Sequence, residues 1–201
     1  WADVVVESFS PGTMKRFGLD YQSFADSRPD LVMLSTSLLG QTGPRAEFAG
    51  FGQQGAGFAG LHAITGWPDR IPSGVYAPYT DVIAPKFGIS ALAAALLERR
   101  HSGRGQYIDL SQVESAVHFI APVVLDYAAN GHITGPAGCD SLQACPHGIF
   151  PAAGKERYVA IAIETALQWR ALCSLVSVGD LAQPAFDDLQ ARLRVAPEIN
   201  A

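Results

Sequence analysis

The chain has 201 residues, of which 48% are hydrophobic and 16% are charged. It is long enough for one domain and part of another at roughly 150 residues per domain, and it is too apolar for a disordered tail, a basic nucleic-acid-binding arm or a coiled coil. The formal net charge of −5 gives no reason to expect nucleic acid or an anionic membrane as a partner.

The cysteines are too few and too irregularly spaced for a disulfide framework or a zinc site; they are Cys139, Cys145 and Cys173. They favour a reducing compartment, so we expect a cytoplasmic protein. No apolar run approaches the roughly 20 residues of a membrane-spanning helix, and the histidines show no metal-ligand spacing. The sequence starts with Trp1 inside an apparent strand, which we interpret as a fragment that lacks both ends of a longer protein.

The first part of the chain has the pattern of a strand, a helix and a second strand. Apolar β-branched residues follow Ala2, the turn FSPG comes next, and a polar helix is predicted over residues 21–28. Pro29 ends that helix, and residues 31–37 are predicted as the second strand. Neither strand alternates apolar and polar residues, which is typical of parallel strands covered on both faces.

A glycine-rich segment, residues 40–60, follows the second strand and is predicted as a loop. Its glycines are Gly40, Gly43, Gly50, Gly52, Gly55, Gly57 and Gly60. A backbone without side chains lets a phosphate or thioester approach its N–H groups, so those near residues 52–60 are candidate oxyanion donors. The alternative is a packed irregular loop with tight turns, and the glycines alone leave both interpretations open.

Asp81 stands at the junction between a loop and a long helix predicted over residues 82–101. Aspartate is a favoured N-cap, because its carboxylate accepts hydrogen bonds from the first N–H groups of a helix. The same position suits a nucleophile, since the helix start keeps the carboxylate ionised and can stabilise an oxyanion when it attacks a carbonyl. The local sequence leaves both roles open.

Further along the chain, residues 106–110 are predicted as a strand, and the capping box SQVE from Ser111 predicts a helix that continues to residues 130–131. Residues 132–148 contain Gly, Pro, His and Cys and are interpreted as a connector. It separates a large domain, residues 1–131, from part of a smaller α/β domain, residues 149–201.

The smaller domain is predicted to begin with two strands around a turn, at residues 149–150 and 157–163. A helix follows over residues 165–177, with Trp169 and two leucines on one face, and a last helix over residues 183–196.

Five stretches of the sequence, in their order and spacing, resemble the class III CoA-transferases, also called the CaiB/BaiF family. They are SFSPGTMKRFGLDYQSF, RPDLVMLSTSLLGQTGP, ITGWPDR, PYTDVIAPKFGISALAAALLERRHSGRGQYIDLSQVE and HGIFPAAGKERYVAIAI. The resemblance extends over residues 2–195, and SGRGQYIDLSQVE is its most specific part. It implies an α/β fold with an open, mostly parallel Rossmann-like sheet domain and part of a smaller α/β domain.

The same resemblance implies that CoA moves from an acyl-CoA donor to a carboxylic acid acceptor. Asp81 matches the family's nucleophilic aspartate. It would form a mixed anhydride with the donor acyl group, then an aspartyl-CoA thioester with the returning thiolate, before CoA passes to the acceptor. Coenzyme A and acyl-CoA are substrates here, no permanently bound cofactor is implied, and the full-length protein is expected to form an interlocked homodimer.

The resemblance also implies where CoA binds. Phe9 and Arg16 match residues that contact the adenine pocket and a phosphate, and Ser8 stands where many members carry Asn. Phe51 and Gly52 match a position where many members have an aromatic or His residue followed by an acid, and they too are expected at the CoA site. For Arg16 the alternative is a solvated helix residue.

Two other functions remain open. An acyl-CoA racemase resembles the same family and removes the α-proton with a His/Asp pair, but the His position is Phe51, which cannot accept a proton. The third possibility is a non-catalytic, truncated CoA-binding fragment. Residues 140–145, DSLQAC, replace the polyglycine loop of oxalyl-specific members, which favours a bulkier or more apolar acyl group than formate or oxalate.

Overall fold

The computed structural model describes residues 2–176 and 179–200. Within them the chain divides into two compact units. The larger comprises the residues up to Gly66 together with Arg70–Pro136, and the smaller comprises Trp67–Asp69 and the residues from Ala137 onward. The change from one to the other at residues 136 and 137 lies inside the segment interpreted as a connector.

Among the described residues of the larger unit, a parallel sheet contains β1 (Val4–Glu7), β2 (Val32–Ser37) and β3 (Tyr107–Ser111), with β2 in the centre. In its register Ser35 stands beside Glu7 on one side and Asp109 on the other. The first residues of β2 are almost completely buried, which explains why this strand is apolar without alternation. The predicted α/β fold with parallel strands is confirmed.

The connection from β1 to β2 contains two short helices, α1 (Thr13–Arg16) and α2 (Tyr21–Ala25). Gly12 precedes α1 with a φ of 76°, a left-handed conformation that suits glycine. The helix predicted to reach residue 28 ends at Ala25, since the N–H groups of Ser27 and Arg28 both donate to the Phe24 carbonyl in a closing turn.

The glycine-rich segment is not loop throughout, because it contains the helix α3 (Gly52–Phe58). Glycine is a poor helix former, and for that reason the sequence did not predict this element. The structure shows what the glycines allow: a Cβ at Gly55 would lie 2.7 Å from Thr80 Oγ1 and 3.0 Å from Leu38 Cδ1. Close packing of α3 therefore outweighs its low intrinsic propensity.

The long helix α4 (Tyr79–Ser102) starts three residues earlier than predicted and ends at Gly103, whose φ is 70°. Asp81 is consequently the third residue of the helix, and the N-cap role considered for it is wrong, because Pro78 occupies that position. By its length and apolar composition α4 is, among the described residues, the one helix that could cross a membrane, although core helices of folded proteins meet the same criterion. It packs against β2 and β3.

The helix predicted to run from residue 112 to 130 is interrupted. The structure has α5 (Gln112–Phe119) and α6 (Ala121–Asn130), with Ile120 between them in a non-helical conformation. Pro122 explains the break, because proline has no N–H and its ring clashes with the carbonyl four residues earlier. The predicted start is confirmed, since the Ser111 hydroxyl accepts a hydrogen bond from the Glu114 N–H at 3.2 Å.

In the smaller unit, β4 (His147–Pro151) and β5 (Tyr158–Ala162) form an antiparallel pair. The helix α7 (Ala166–Leu175) follows, with Thr165 and Gln168 in a capping box. Residue 177, the predicted end of this helix, lies outside the described residues. Trp169 is buried, whereas Leu175 on the supposed apolar face is exposed.

The last predicted helix, residues 183–196, is instead a series of short elements. A 3-10 turn (Pro184–Asp187) precedes α8 (Leu189–Arg194) and α9 (Ala196–Asn200). The interruptions coincide with the Asp188 N-cap and with Val195, which leaves helical geometry. Arg192 is completely buried here, where its guanidinium donates to the Cys145 carbonyl at 2.7 Å and lies over the Trp169 ring.

Candidate functional site

The loops that follow β1 and β2 line a cleft of about 800 Å³ at the carboxyl edge of the parallel sheet. Pro11 and Gly12 come from the first loop, and residues 41–48 come from the second. Ligands of open α/β sheets bind outside the carboxyl ends of the strands, so the topology alone makes this edge the expected binding region. Arg45 and Glu47 give the lining charges of both signs, and Phe58 gives it an aromatic face.

Two carboxylates in the sheet hold these loops. Glu7, the buried last residue of β1, accepts a hydrogen bond from the Phe9 N–H at 2.7 Å. Asp109 in β3 accepts one from the Gln41 N–H at 2.8 Å. Sequence analysis did not identify either residue. For Glu7 a signal was available, since an acid at the end of an apolar strand is buried there and a buried carboxylate needs hydrogen-bond partners. Asp109 is exposed, so this argument does not apply to it.

The predicted CoA-contacting residues of the first loop are accessible. Phe9 is 56% exposed, Ser8 is exposed as well, and the exposed Arg16 guanidinium donates to the Thr13 hydroxyl at 2.8 Å. The structure brings these residues to the carboxyl end of β1, where their neighbours Pro11 and Gly12 line the cleft.

The Asp81 carboxylate lies directly against Gly52, the first residue of α3. A Cβ at Gly52 would be 2.8 Å from Asp81 Oδ2 and 2.6 Å from Pro78 Cβ, both closer than non-bonded atoms allow. The buried glycine is therefore what lets the exposed aspartate rest on the start of α3. The structure thus brings together two of the predicted site residues that are far apart in the sequence.

Thr80 fixes the first turn of α4 beside this contact. Its side chain is completely buried, and its hydroxyl donates to the Gly52 carbonyl at 3.1 Å, with Gln112 Oε1 3.2 Å away. The Asp81 N–H donates to the Pro78 carbonyl at 2.9 Å. Thr80 was missed by sequence analysis, because the helix was predicted to start at residue 82, which left Thr80 in the preceding loop.

Phe51, the N-cap of α3, is 78% exposed, and its N–H donates to Gln54 Oε1 at 2.9 Å. The phenyl ring offers neither a proton donor nor a proton acceptor. The position that would need a base for proton abstraction therefore carries an apolar side chain adjacent to Gly52.

The proposed set of glycine N–H donors at residues 52–60 needs correction. The Gly55 N–H donates to the Phe51 carbonyl and the Gly60 N–H to the Gly57 carbonyl, both at 3.1 Å. These N–H groups already donate hydrogen bonds within α3 and the turn that follows it, so they are not available to bind an oxyanion. Gly52 differs, because N–H groups of a first helical turn have no intrahelical acceptor.

The buried Cys145 thiol is held in an unreactive state. Burial raises the pKa of the Cys145 thiol, whose Sγ lies 3.5 Å from the Arg192 carbonyl. A buried thiol with a raised pKa stays protonated and is a poor nucleophile.

Within residues 2–176 and 179–200, no group of three or more His, Cys, Asp or Glu side chains could hold a metal ion.

The parallel sheet and the cleft at its carboxyl edge are those of an open α/β protein. The chain belongs to CoA-transferase family III, whose family model matches residues 1–201.

Known relatives and solved structures agree with this membership. The chain is 34% identical over 191 residues to the succinyl-CoA–D-citramalate CoA-transferase of Chloroflexus aurantiacus. This alignment covers 94% of this chain and 47% of the relative. It is 32% identical to the succinate–glutarate CoA-transferase of Agrobacterium fabrum, covering 90% of this chain and 45% of the relative. A CaiB/BaiF family protein from Brucella suis superposes with a TM-score of 0.83 at 28% identity, covering 99% of this chain and 53% of that structure. The chain thus spans about half the length of the proteins it matches.

Proposed function

We propose that the intact protein transfers CoA from an acyl-CoA donor to a carboxylic acid acceptor, with Asp81 as the nucleophile. The observation that carries this proposal is the exposed Asp81 carboxylate in the first turn of α4, seated on a residue without a side chain. A thioester can reach such a carboxylate without meeting atoms from residue 52. The names of the relatives, which are CoA-transferases, support the same reaction.

The reaction consists of four displacements at carbonyl carbon. An Asp81 oxygen attacks the donor thioester, the C–S bond breaks, and CoA leaves as a thiolate with a mixed anhydride on Asp81. The thiolate attacks the aspartyl carbonyl and releases the donor acid as a carboxylate, which leaves an aspartyl-CoA thioester. The acceptor carboxylate displaces the thiolate to form a second anhydride, and the thiolate then attacks the acceptor's acyl carbon and frees Asp81.

In each displacement one anion attacks and another leaves: a carboxylate displaces a thiolate, or a thiolate displaces a carboxylate. No step therefore requires a net proton transfer. This accounts for a site in which Phe51 and Gly52 supply neither an acid nor a base. The chemistry instead needs stabilisation of the oxyanions, for which the first-turn N–H of Gly52 is the candidate among the glycines. It also needs exclusion of water, because an anhydride hydrolyses.

CoA is proposed to bind along the carboxyl edge of the sheet. The exposed Phe9 ring offers a stacking face for adenine, and the Arg16 guanidinium offers a positive charge for a phosphate. Ser8, beside Phe9, and Phe51 with Gly52, beside Asp81, complete the proposed contacts.

The proposed substrates and the proposed assembly are based on the names of the similar proteins. Because the similar transferases are named for succinyl-CoA, citramalate and glutarate, dicarboxylic acids are the first acceptors to test. Two relatives from Chloroflexus aurantiacus are named as alpha and beta subunits of one CoA-transferase, which supports an assembly of two family chains. We propose an interlocked homodimer in the cytoplasm.

The test is to trap the acylated aspartate. The intact protein is incubated with succinyl-CoA, quenched with hydroxylamine and digested, and we expect a hydroxamate on the peptide that contains Asp81. In parallel, a chiral 2-methylacyl-CoA in D₂O tests for α-proton exchange. Trapping without exchange supports transfer, exchange without trapping identifies a racemase, and CoA binding with neither outcome identifies a non-catalytic protein; the last two results overturn the proposal.

A further inference from the structure

The side chain of Gln53 connects α3 with the segment that leads into α4. Its Nε2 donates to the Ala77 carbonyl at 2.8 Å and to the Val75 carbonyl at 3.2 Å. Its Oε1 lies 3.2 Å from Nε2 of His62. Since an amide oxygen only accepts hydrogen bonds, His62 Nε2 is the protonated nitrogen in this contact. Both ends of the Gln53 amide are therefore engaged, and a flipped amide would turn its oxygen toward two carbonyls.

The carbonyls that accept hydrogen bonds from Gln53 belong to a segment with an unfavourable backbone conformation. Ala77 has a φ of 61°, a left-handed conformation that residues other than glycine rarely adopt. Such a conformation persists only when the surrounding structure enforces it. The hydrogen bond from Gln53 to the carbonyl of this same residue is one such constraint.

Ala77 is close to the nucleophile along the chain. The next residue, Pro78, is the N-cap of α4, and its carbonyl accepts the Asp81 N–H at 2.9 Å. Thr80, on the other side of the cap, donates to the Gly52 carbonyl at 3.1 Å. Gly52 and Gln53, consecutive in α3, thus hold the chain on both sides of the point where α4 begins.

We propose that Gln53 is a positioning residue for the transfer reaction. It fixes the backbone at residues 75–77 and thereby the direction in which the Asp81 carboxylate meets the thioester; this inference rests on the proposed role of Asp81. His62 supports it indirectly, by orienting the Gln53 amide so that its N–H groups face the two carbonyls. Misalignment of a nucleophile lowers the rate of the chemical step more than substrate affinity.

Two substitutions separate hydrogen-bond donation from side-chain shape. Gln53→Leu removes the amide, whereas Gln53→Glu keeps the shape and the oxygen toward His62 but replaces the donor with a second oxygen. We expect both to lower kcat by roughly tenfold and to change the KM for succinyl-CoA by less than about twofold. Gln190→Leu, at an exposed position of α8, is the matched control and should leave both constants unchanged.

Two further readouts report on position itself. Amide hydrogen exchange at residues 79–81 should accelerate in both Gln53 variants, and hydroxamate formation on Asp81 should slow by the same factor as kcat. His62→Phe leaves the Gln53 donors in place, so its effect should be smaller, and combining it with Gln53→Leu should add little. This variant keeps the idea testable if Gln53→Leu does not fold.

The possible results distinguish this inference from the proposed function. If Asp81→Asn is inactive while Gln53→Leu and Gln53→Glu have the wild-type kcat, the positioning role is wrong and the nucleophile assignment stands. If Gln53→Glu alone keeps full activity, the side chain acts by shape and the inference fails. If Asp81→Asn retains substantial turnover, the proposed function itself is wrong.

Discussion

The carboxylate of Asp81 occupies the space that a side chain at Gly52 would fill. The distance of 2.8 Å from Asp81 Oδ2 to a Cβ built on Gly52 is shorter than real Cβ contacts, and Pro78 Cβ stands even closer at 2.6 Å. With the backbone as it stands in this structure, a side chain at residue 52 would have to displace Pro78 or the Asp81 carboxylate.

Gly52→Ala should therefore disturb the site. Because Pro78 is rigid and part of the helix cap, the added methyl group must displace either α3 or Asp81. We expect a destabilisation of about 1–3 kcal/mol and a loss of transfer activity larger than the loss of folded protein, measured by urea unfolding and by initial rates. Gly135→Ala, where a Cβ would meet no atom within 4 Å, is the control. Equal activity of both variants would show that the contact is not needed.

Asp81→Asn should abolish transfer while CoA binding survives, because the amide keeps the shape but is a far weaker nucleophile than the carboxylate. We expect kcat to fall by roughly a thousandfold or more, with the dissociation constant for CoA, measured by calorimetry, changed little. Asp26→Asn, at an exposed position in the turn after α2, should behave as wild type. Turnover within tenfold of wild type would refute Asp81 as the nucleophile.

Arg16→Ala should weaken CoA binding with little effect on the fold. The guanidinium is exposed and its contact with the Thr13 hydroxyl lies within α1, so its removal exposes no buried partner. Loss of a charge-assisted hydrogen bond to phosphate corresponds to about 1.5–3 kcal/mol, which calorimetry with CoA measures directly. Arg104→Ala, at an exposed loop position, is the comparison. Unchanged affinity would identify Arg16 as a solvated helix residue.

The parts of the fold that could be predicted from sequence are those set by local pattern. The apolar run of β2 predicts a strand covered on both faces, and Ser111 predicts a helix start, because both signals lie within a few consecutive residues. The break at Ile120 was also encoded locally, by Pro122, but sequence analysis extended one continuous helix from the capping box at Ser111 and did not use this proline.

The rest depends on contacts between distant segments. The helix α3 is rich in glycine and forms because Gly52 and Gly55 fit against the start of α4, which no local pattern reveals. Likewise, resemblance could identify Asp81 as a candidate nucleophile, but not the hydrogen bonds of Thr80 and Gln53 that surround it. These contacts exist only once the two helices have packed.

The stability of the larger unit should fall with acidification through Asp30. Hydrogen bonds from Arg28 and Arg99 lower the pKa of Asp30 from 3.8 to about 2, and Arg99 also donates to Asp3 at 2.9 Å. Since the pKa is lower in the folded state than in the unfolded one, the carboxylate contributes stability above pH 4, and this contribution is lost as the pH falls toward 2. The wild-type protein should therefore resist urea more than Asp30→Asn at pH 7, with the difference shrinking between pH 4 and pH 2. A gap for Asp30→Asn that stays constant down to pH 2 would mean that the ion pairs do not stabilise this unit.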